Sequence, residues 1–201
     1  MRQSWLRSFL VIVGFSLLLT GCGVNAIPTL DEQAKASWSQ VLNQYKRRAD
    51  LIPNLVEVVK GYATHERETL TAVTEARAKV SQINIPKDIL TNPQAFQAFQ
   101  QSQGALTQAL SRLMVVSERY PDLKASENFL ALQAQLEGTE NRISVARRDY
   151  IQAVQAYNTE LRTFPGRIWA MILYSDAVPL QNFTVDQEGI ENAPVIKMGN
   201  G

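Results

Sequence analysis

WSQVLNQYKRRADLIPNLVEVV, residues 38–59, holds the pattern that decides the fold. Counting in sevens from Trp38 gives Trp38, Tyr45, Ile52 and Val59, and the same register continues through Glu66, Val73 and Val80. Val41, Leu42, Leu55, Val56, Ala63, Leu70, Ala76 and Ile83 fill the positions three or four further on. An apolar stripe recurring every three to four residues is the mark of a helix that buries one face along a bundle seam. Pro53 interrupts the stretch without shifting its phase, so the pattern predicts a kink, or a local break between two collinear helices. Thr29 and Glu32, just after Pro28, have the spacing of a capping box and predict a start near residue 30. A continuous helix from there to residue 84 would be on the order of 80 Å long.

Working outward, a second series runs Phe129, Leu136, Ile143, Tyr150, Tyr157 and Phe164, with Leu132, Ala146, Ala153, Val154 and Leu161 between its members. It stops at Phe164-Pro165-Gly166. Between the two lies a segment opened by Asn92 as N-cap and Pro93 as first helical residue. Phe96, Phe99, Leu106, Leu110 and Leu113 share one of its faces, and Tyr120-Pro121 closes it. Arg167 to Tyr174 predicts a short fourth helix. Short connections make sequential neighbours antiparallel. The expected fold is therefore all-α: an elongated antiparallel up-and-down bundle of two long helices, one medium helix and one short C-terminal helix. The bundle is assigned to residues 30–175. Residues 176–201, punctuated by Pro179, Gly189, Pro194 and Gly199, are expected to be an extended or disordered tail, with Phe183 a candidate to fold back onto the bundle.

The N-terminal 21 residues have the parts of an export leader: Arg2 and Arg7, an apolar run from Phe9 to Leu19, then Thr20 and Gly21 before Cys22, the chain's single cysteine. Leu19-Thr20-Gly21-Cys22 has the form of a bacterial lipoprotein box. Small residues suit the peptidase, and the thiol is the group that receives the lipid. On this reading 1–21 is a signal peptide, Cys22 is lipidated, and 22–29 is a tether. The protein would then face the periplasm or the cell exterior from the cell membrane or the outer membrane. An uncleaved anchor and an ordinary signal with a chance cysteine are the competing readings. The apolar run is short against the roughly 20 residues of a spanning helix.

Charge excludes one large class of function. Twenty Lys and Arg face nineteen Asp and Glu, and removing Arg2 and Arg7 leaves eighteen basic residues. A nucleic-acid-binding domain would show a concentrated basic surface, so no nucleic acid is expected. Reactive groups are equally scarce. His65 is the one histidine, no second histidine completes a zinc motif after His65-Glu66, and there is no Gly-rich phosphate loop or nucleophile elbow. No catalytic residue, cofactor or metal is assigned, and an enzymatic or metal-binding bundle is the least favoured reading. The polar residues near the seams are Arg48, Asn54, Glu57 and Glu66 in the first half, and Glu137, Glu140, Asn141 and Arg147 in the second. Charges in a seam need partners, and their best-attested use is to fix register. These eight are therefore expected to form an interhelical polar network, with Arg48 or Arg147 paired to Glu140. The other reading is that they line a groove for a partner.

The residues also carry a family resemblance. Lys46-Arg47-Arg48-Ala49-Asp50-Leu51-Ile52-Pro53-Asn54-Leu55-Val56-Glu57, then Val59-Lys60-Gly61-Tyr62-Ala63 and His65-Glu66, resembles the signature stretch of the LemA family. Glu118-Arg119-Tyr120-Pro121-Asp122-Leu123-Lys124-Ala125, Phe129, Leu132-Gln133, Leu136-Glu137, Thr139-Glu140-Asn141, Ala146-Arg147, Tyr157-Asn158 and Phe164-Pro165 are similar to the rest of its pattern. The resemblance covers roughly residues 30 to 175. It implies a membrane-attached helical bundle outside the cytoplasmic membrane, with no agreed biochemical activity. Some members are found beside genes for membrane metalloproteases of the HtpX type. Many members carry an uncleaved anchoring helix where this chain has its lipoprotein box. The expected role is a non-enzymatic scaffold for an envelope or membrane protein, or else an adaptor or regulator of a membrane metalloprotease. Self-association into a homo-oligomer stays open.

Overall fold

In a computed structural model, residues 23–82 and 85–183 are described; the leader, Cys22 and residues 184–201 lie outside them. The described residues form six helices: α1 (Ala26–Tyr62), α2 (Arg67–Gln82), α3 (Pro93–Ser117), α4 (Pro121–Lys124), α5 (Glu127–Glu160) and α6 (Gly166–Ile172). No strand is found among them. α1, α2, α3 and α5 make the up-and-down bundle that the periodicity predicts, and α1 and α5 share its most extensive contact. The antiparallel register of that pair is set by Trp38 against Tyr150 and Arg48 against Glu140.

The first apolar series divides differently from the expectation of one collinear run. α1 passes through Pro53 unbroken and ends at Tyr62. After residues 63–66 the chain turns back as α2, antiparallel to α1. The sevenfold phase survives because α2 also buries a stripe, Leu70, Val73 and Ala76, against the same core. Phase alone does not distinguish a helix that continues from one that folds back.

What lets Pro53 stay inside α1 is a specific substitution of hydrogen-bond donor. Proline has no N–H, so the Ala49 carbonyl one turn earlier loses its intrahelical partner. Arg77 of α2 donates Nε to that carbonyl at 3.1 Å. The guanidinium thus completes the α1 backbone and ties α2 to α1 at the same point. Arg77→Met should cost about 1–2 kcal/mol, the range for a charged hydrogen bond lost at a partly buried site. In a Pro53→Ala background, where residue 53 regains its N–H, that cost should shrink to a few tenths of a kcal/mol. A double-mutant cycle by urea denaturation checks this coupling.

The start of α1 also differs from expectation. Asn25 is the N-cap and the helix begins at Ala26, so Thr29 and Glu32 lie within it. The Thr29 N–H already donates to the Asn25 carbonyl at 3.1 Å, which leaves no capping box to form. Pro28 is tolerated because the N–H groups of a first turn have no intrahelical acceptor in any case. Glu32 pairs instead with Lys35. Asn92 does cap α3, accepting from the Ala95 N–H at 3.1 Å, with Pro93 next in line.

α5 buries Phe129, Leu136, Ile143, Tyr150 and Tyr157. Phe164, the last member of that series, lies beyond the helix end and is 82% exposed. Between α5 and α6 the chain folds so tightly that a Cβ on Gly166 would collide with the Glu160 carbonyl. Only glycine fits there.

The core has two apolar halves. Ile27, Trp38, Tyr45, Phe96, Phe99, Ile143, Tyr150 and Val154 belong to the half nearer Gly23. Ile52, Leu55, Val59, Val73, Leu106, Leu113, Leu123, Phe129 and Leu136 belong to the far half, under the 63–66 turn and α4.

Candidate functional site

Between the two apolar halves lies a polar layer built on Arg48, whose side chain is 1% exposed. Its position follows from α1: residue 48 falls on the buried stripe between Tyr45 and Ile52. Arg48 Nη1 donates to Thr107 Oγ1 and to Glu140 Oε1, both at 2.9 Å. Nη2 donates to Gln103 Oε1 at 2.6 Å and to the Gln103 carbonyl at 3.3 Å. Four of the five guanidinium N–H groups are thus taken up by side chains and backbone of α3 and α5. The guanidinium carbon also lies 5.0 Å from the centre of the Tyr45 ring. A rigid planar donor set of this kind is satisfied only when three helices hold one axial register, which suits it to alignment rather than chemistry.

The eight polar residues expected in one network are spread over the bundle. Arg48 and Glu140 meet, as above. Glu66 sits at the far end, accepting from the Tyr120 hydroxyl at 2.9 Å and pairing with Arg119 at 3.1 Å. The Glu66 carboxylate holds the Tyr120 phenol above its ordinary pKa. Arg147 leaves Glu140 to Arg48 and lies over the Phe183 ring, 4.4 Å from its centre. Glu137 accepts from Gln133 of its own helix at 2.9 Å, and Asn54, Glu57 and Asn141 are exposed. The last four fall outside an interhelical network because their offsets from the buried stripe turn them outward. His65 is exposed too. Among the described residues no group of three or more His, Cys, Asp or Glu side chains could hold a metal ion.

The residues with most structural weight near Gly23 were not expected to be polar partners. After α6, residues 178–183 run without helix along the bundle as a strap. The Asn158 side chain pairs with the strap's backbone in both directions, donating to the Leu180 carbonyl at 3.0 Å and accepting the Leu180 N–H at 2.9 Å. The Tyr150 hydroxyl donates to the Gln181 carbonyl at 2.6 Å, and the Gln181 N–H donates to the Leu90 carbonyl at 2.6 Å. Burial pushes the Tyr150 phenol well above its ordinary pKa, so it remains a donor across the physiological range. Leu180 and Phe183 are buried, and Phe183 joins Trp38, Phe96 and Tyr150 in one aromatic cluster. The available signal was Tyr157-Asn158, a polar residue on the seam of α5 with no evident helical partner.

A cleft of about 740 Å³ lies beside the strap, lined by Ile27, Asp31, Lys35, Trp38, Ile89 and Tyr157 among others. Asp31 and Lys35 are spent on each other at 2.6 Å. No helix among the described residues is long and apolar enough to cross a membrane.

The family model described as the LemA family matches residues 37–198. Protein LemA of Metamycoplasma hominis is 31% identical over 120 residues, covering 59% of this chain and 50% of that protein. The magnetosome proteins MamQ 2 of Paramagnetospirillum magneticum and MamQ of Magnetospirillum gryphiswaldense are each 26% identical over 165 residues, covering 74% of this chain and 60% of theirs. The chain thus spans between half and three fifths of the length of these relatives. With a family-model match over residues 37–198, most of its length, the chain belongs to the LemA family.

Proposed function

We propose that this protein is a lipid-anchored, non-enzymatic scaffold of the cell envelope, held at a membrane through Cys22 and offering the outer faces of its helices to a membrane or envelope protein. The observation that carries the reading is the fate of the polar groups between its helices and turns. Arg48, Gln103, Thr107 and Glu140 are consumed in aligning three helices, and Glu66, Tyr120 and Arg119 in joining the turns at the far end. A site for catalysis would keep titratable groups converging on open space, and here they converge on each other. Relatives that include magnetosome proteins support a place at a membrane. The lipoprotein box at residues 19–22 supports attachment through acyl chains, each buried CH₂ contributing about 0.8 kcal/mol.

The test is in-cell crosslinking of the full-length protein, with solubilisation and identification of what copurifies with wild type but not with Cys22→Ala. The expected result is a reproducible membrane partner for wild type, and a Cys22→Ala protein left as unacylated precursor. A Cys22→Ala protein that is normally processed and membrane-bound would overturn the lipid anchor. Recovery of the protein only with itself would replace the scaffold by a self-assembling envelope component. A membrane metalloprotease as partner would define the scaffold as an adaptor.

A further inference from the structure

Eleven large apolar side chains are exposed among the described residues, and six of them fall between residues 164 and 178. Phe164, Met171, Ile172 and Leu173 are 82%, 72%, 67% and 53% exposed, and Ile168 is 43% exposed. Ile168, Met171 and Ile172 are spaced three and four residues apart on α6, so they share one face. Trp169 and Ala170 on the other side pack against the core half nearer Gly23. α6 is therefore fixed to the bundle by one side and turns its more apolar side outward. Isolated exposed apolar residues are ordinary, but a cluster of this kind marks a contact surface.

The path of the chain says what covers it. Gly23 lies directly against this region: a Cβ built on it would be 3.3 Å from Pro165 Cγ and 3.4 Å from Trp169 Nε1. The residue before Gly23 is Cys22. Whatever ties residue 22 to a membrane therefore delivers α6 to the same surface. Charge fits as well, since residues 161–178 carry exposed Arg162 and Arg167 against a single carboxylate, Asp176. Cationic residues around an apolar face match the boundary between phospholipid headgroups and acyl chains.

We propose that α6 with Phe164 and Leu173 is a membrane foot, its Ile168–Met171–Ile172 face seated in the phospholipid interface beside the Cys22 attachment point. The inference rests on membrane attachment through Cys22, and it adds an orientation. The end of the bundle that carries α6 lies on the lipid, and the 63–66 turn and α4 point away from it, on the order of 55 Å out by the length of α1. A single flexible tether at residue 22 would leave the bundle free to swing; a second contact fixes its tilt.

The experiment uses the full-length, lipid-bearing protein with Met171→Cys, and separately Ile172→Cys, carrying an environment-sensitive fluorophore. It is reconstituted into vesicles of phosphatidylethanolamine and phosphatidylglycerol with brominated acyl chains. Thr64→Cys is the far-end control, and wild type, whose one thiol would be blocked by lipid, is the labelling control. Labels at 171 and 172 should show blue-shifted emission that bromine quenches, as expected roughly 5–10 Å into the boundary, while the label at 64 keeps water-like, unquenched emission. Water-like emission at 171 and 172 in protein that floats with the vesicles would overturn the foot and leave the anchor standing. Blue-shifted emission that bromine does not quench would also overturn it, because protein would then cover the face. Wild type that takes the label and fails to float would refute the anchor itself, and the foot with it.

Discussion

Arg48→Met should lower the stability of the bundle by about 2 kcal/mol, within the range for leaving a buried hydrogen-bonding group unpaired. The side chain is 1% exposed, and its loss strands the buried Gln103 Oε1, while the Gln103 carbonyl keeps the Thr107 hydroxyl as donor and the exposed Thr107 turns to water. Methionine fills much of the volume, so the cost reports an unsatisfied polar group rather than a cavity. Glu140→Gln should cost less than about 1 kcal/mol, since that carboxylate is 39% exposed and the amide oxygen still accepts from Nη1. Arg48→Lys should fall between the two, because an ammonium keeps the charge but not the fork that reaches Thr107, Gln103 and Glu140 together. Urea denaturation of the three variants checks the order. An Arg48→Met protein as stable as wild type would show that the polar layer contributes nothing to folding.

Trp38→Ala should be worse, at about 4 kcal/mol, the range for truncating a buried large aromatic. Trp38 is 5% exposed and lies within aromatic contact of four rings: Phe96 at 5.5 Å between centres, Phe99 at 5.2 Å, Tyr150 at 5.3 Å and Phe183 at 6.1 Å. Those rings come from α3, α5 and the strap, so their common support disappears at once. The loss has a local signature as well as a global one. Phe183 would have less to pack against, and limited proteolysis should cut within residues 178–183 sooner than in wild type. A fall in the unfolding midpoint without faster strap cleavage would mean that the Asn158 and Tyr150 bonds hold the strap unaided.

The helices and their buried faces were legible because burial imposes a period on the sequence. Trp38, Tyr45, Ile52 and Val59, and then Phe129 through Tyr157, are buried as their spacing predicts. Reversal at 63–66 was not legible, since a helix that turns back onto the same core repeats the same period. The Arg48–Glu140 contact followed from charge on two facing seams, but Gln103 and Thr107 did not, as neutral polar residues leave no electrostatic imprint in a sequence. Phe183 folds back onto the bundle as an aromatic residue in the tail suggested, but the path of the rest of the strap was not legible, because Asn158 and Tyr150 hold it through backbone groups, and backbone bonding leaves no pattern in the bonded segment itself. Phe164 satisfied the period and is nonetheless exposed, because the helix had ended at Glu160, four residues before it.

The bond from Arg77 to the Ala49 carbonyl has a consequence for the order in which the chain assembles. Ala49 and Arg77 are 28 residues apart, whereas Arg48 and Glu140 are 92 apart. Closing the shorter loop costs about 1 kcal/mol less entropy than closing the longer one. The middle of α1 lacks one backbone bond until Arg77 arrives, so formation of that helix and docking of α2 are linked steps. The α1–α2 hairpin is thereby the natural nucleus, and Arg77 variants should slow folding where variants of the Arg48 layer chiefly hasten unfolding. In a chain made from its N-terminus, that order also means the hairpin stands ready as a template before α5 has been synthesised.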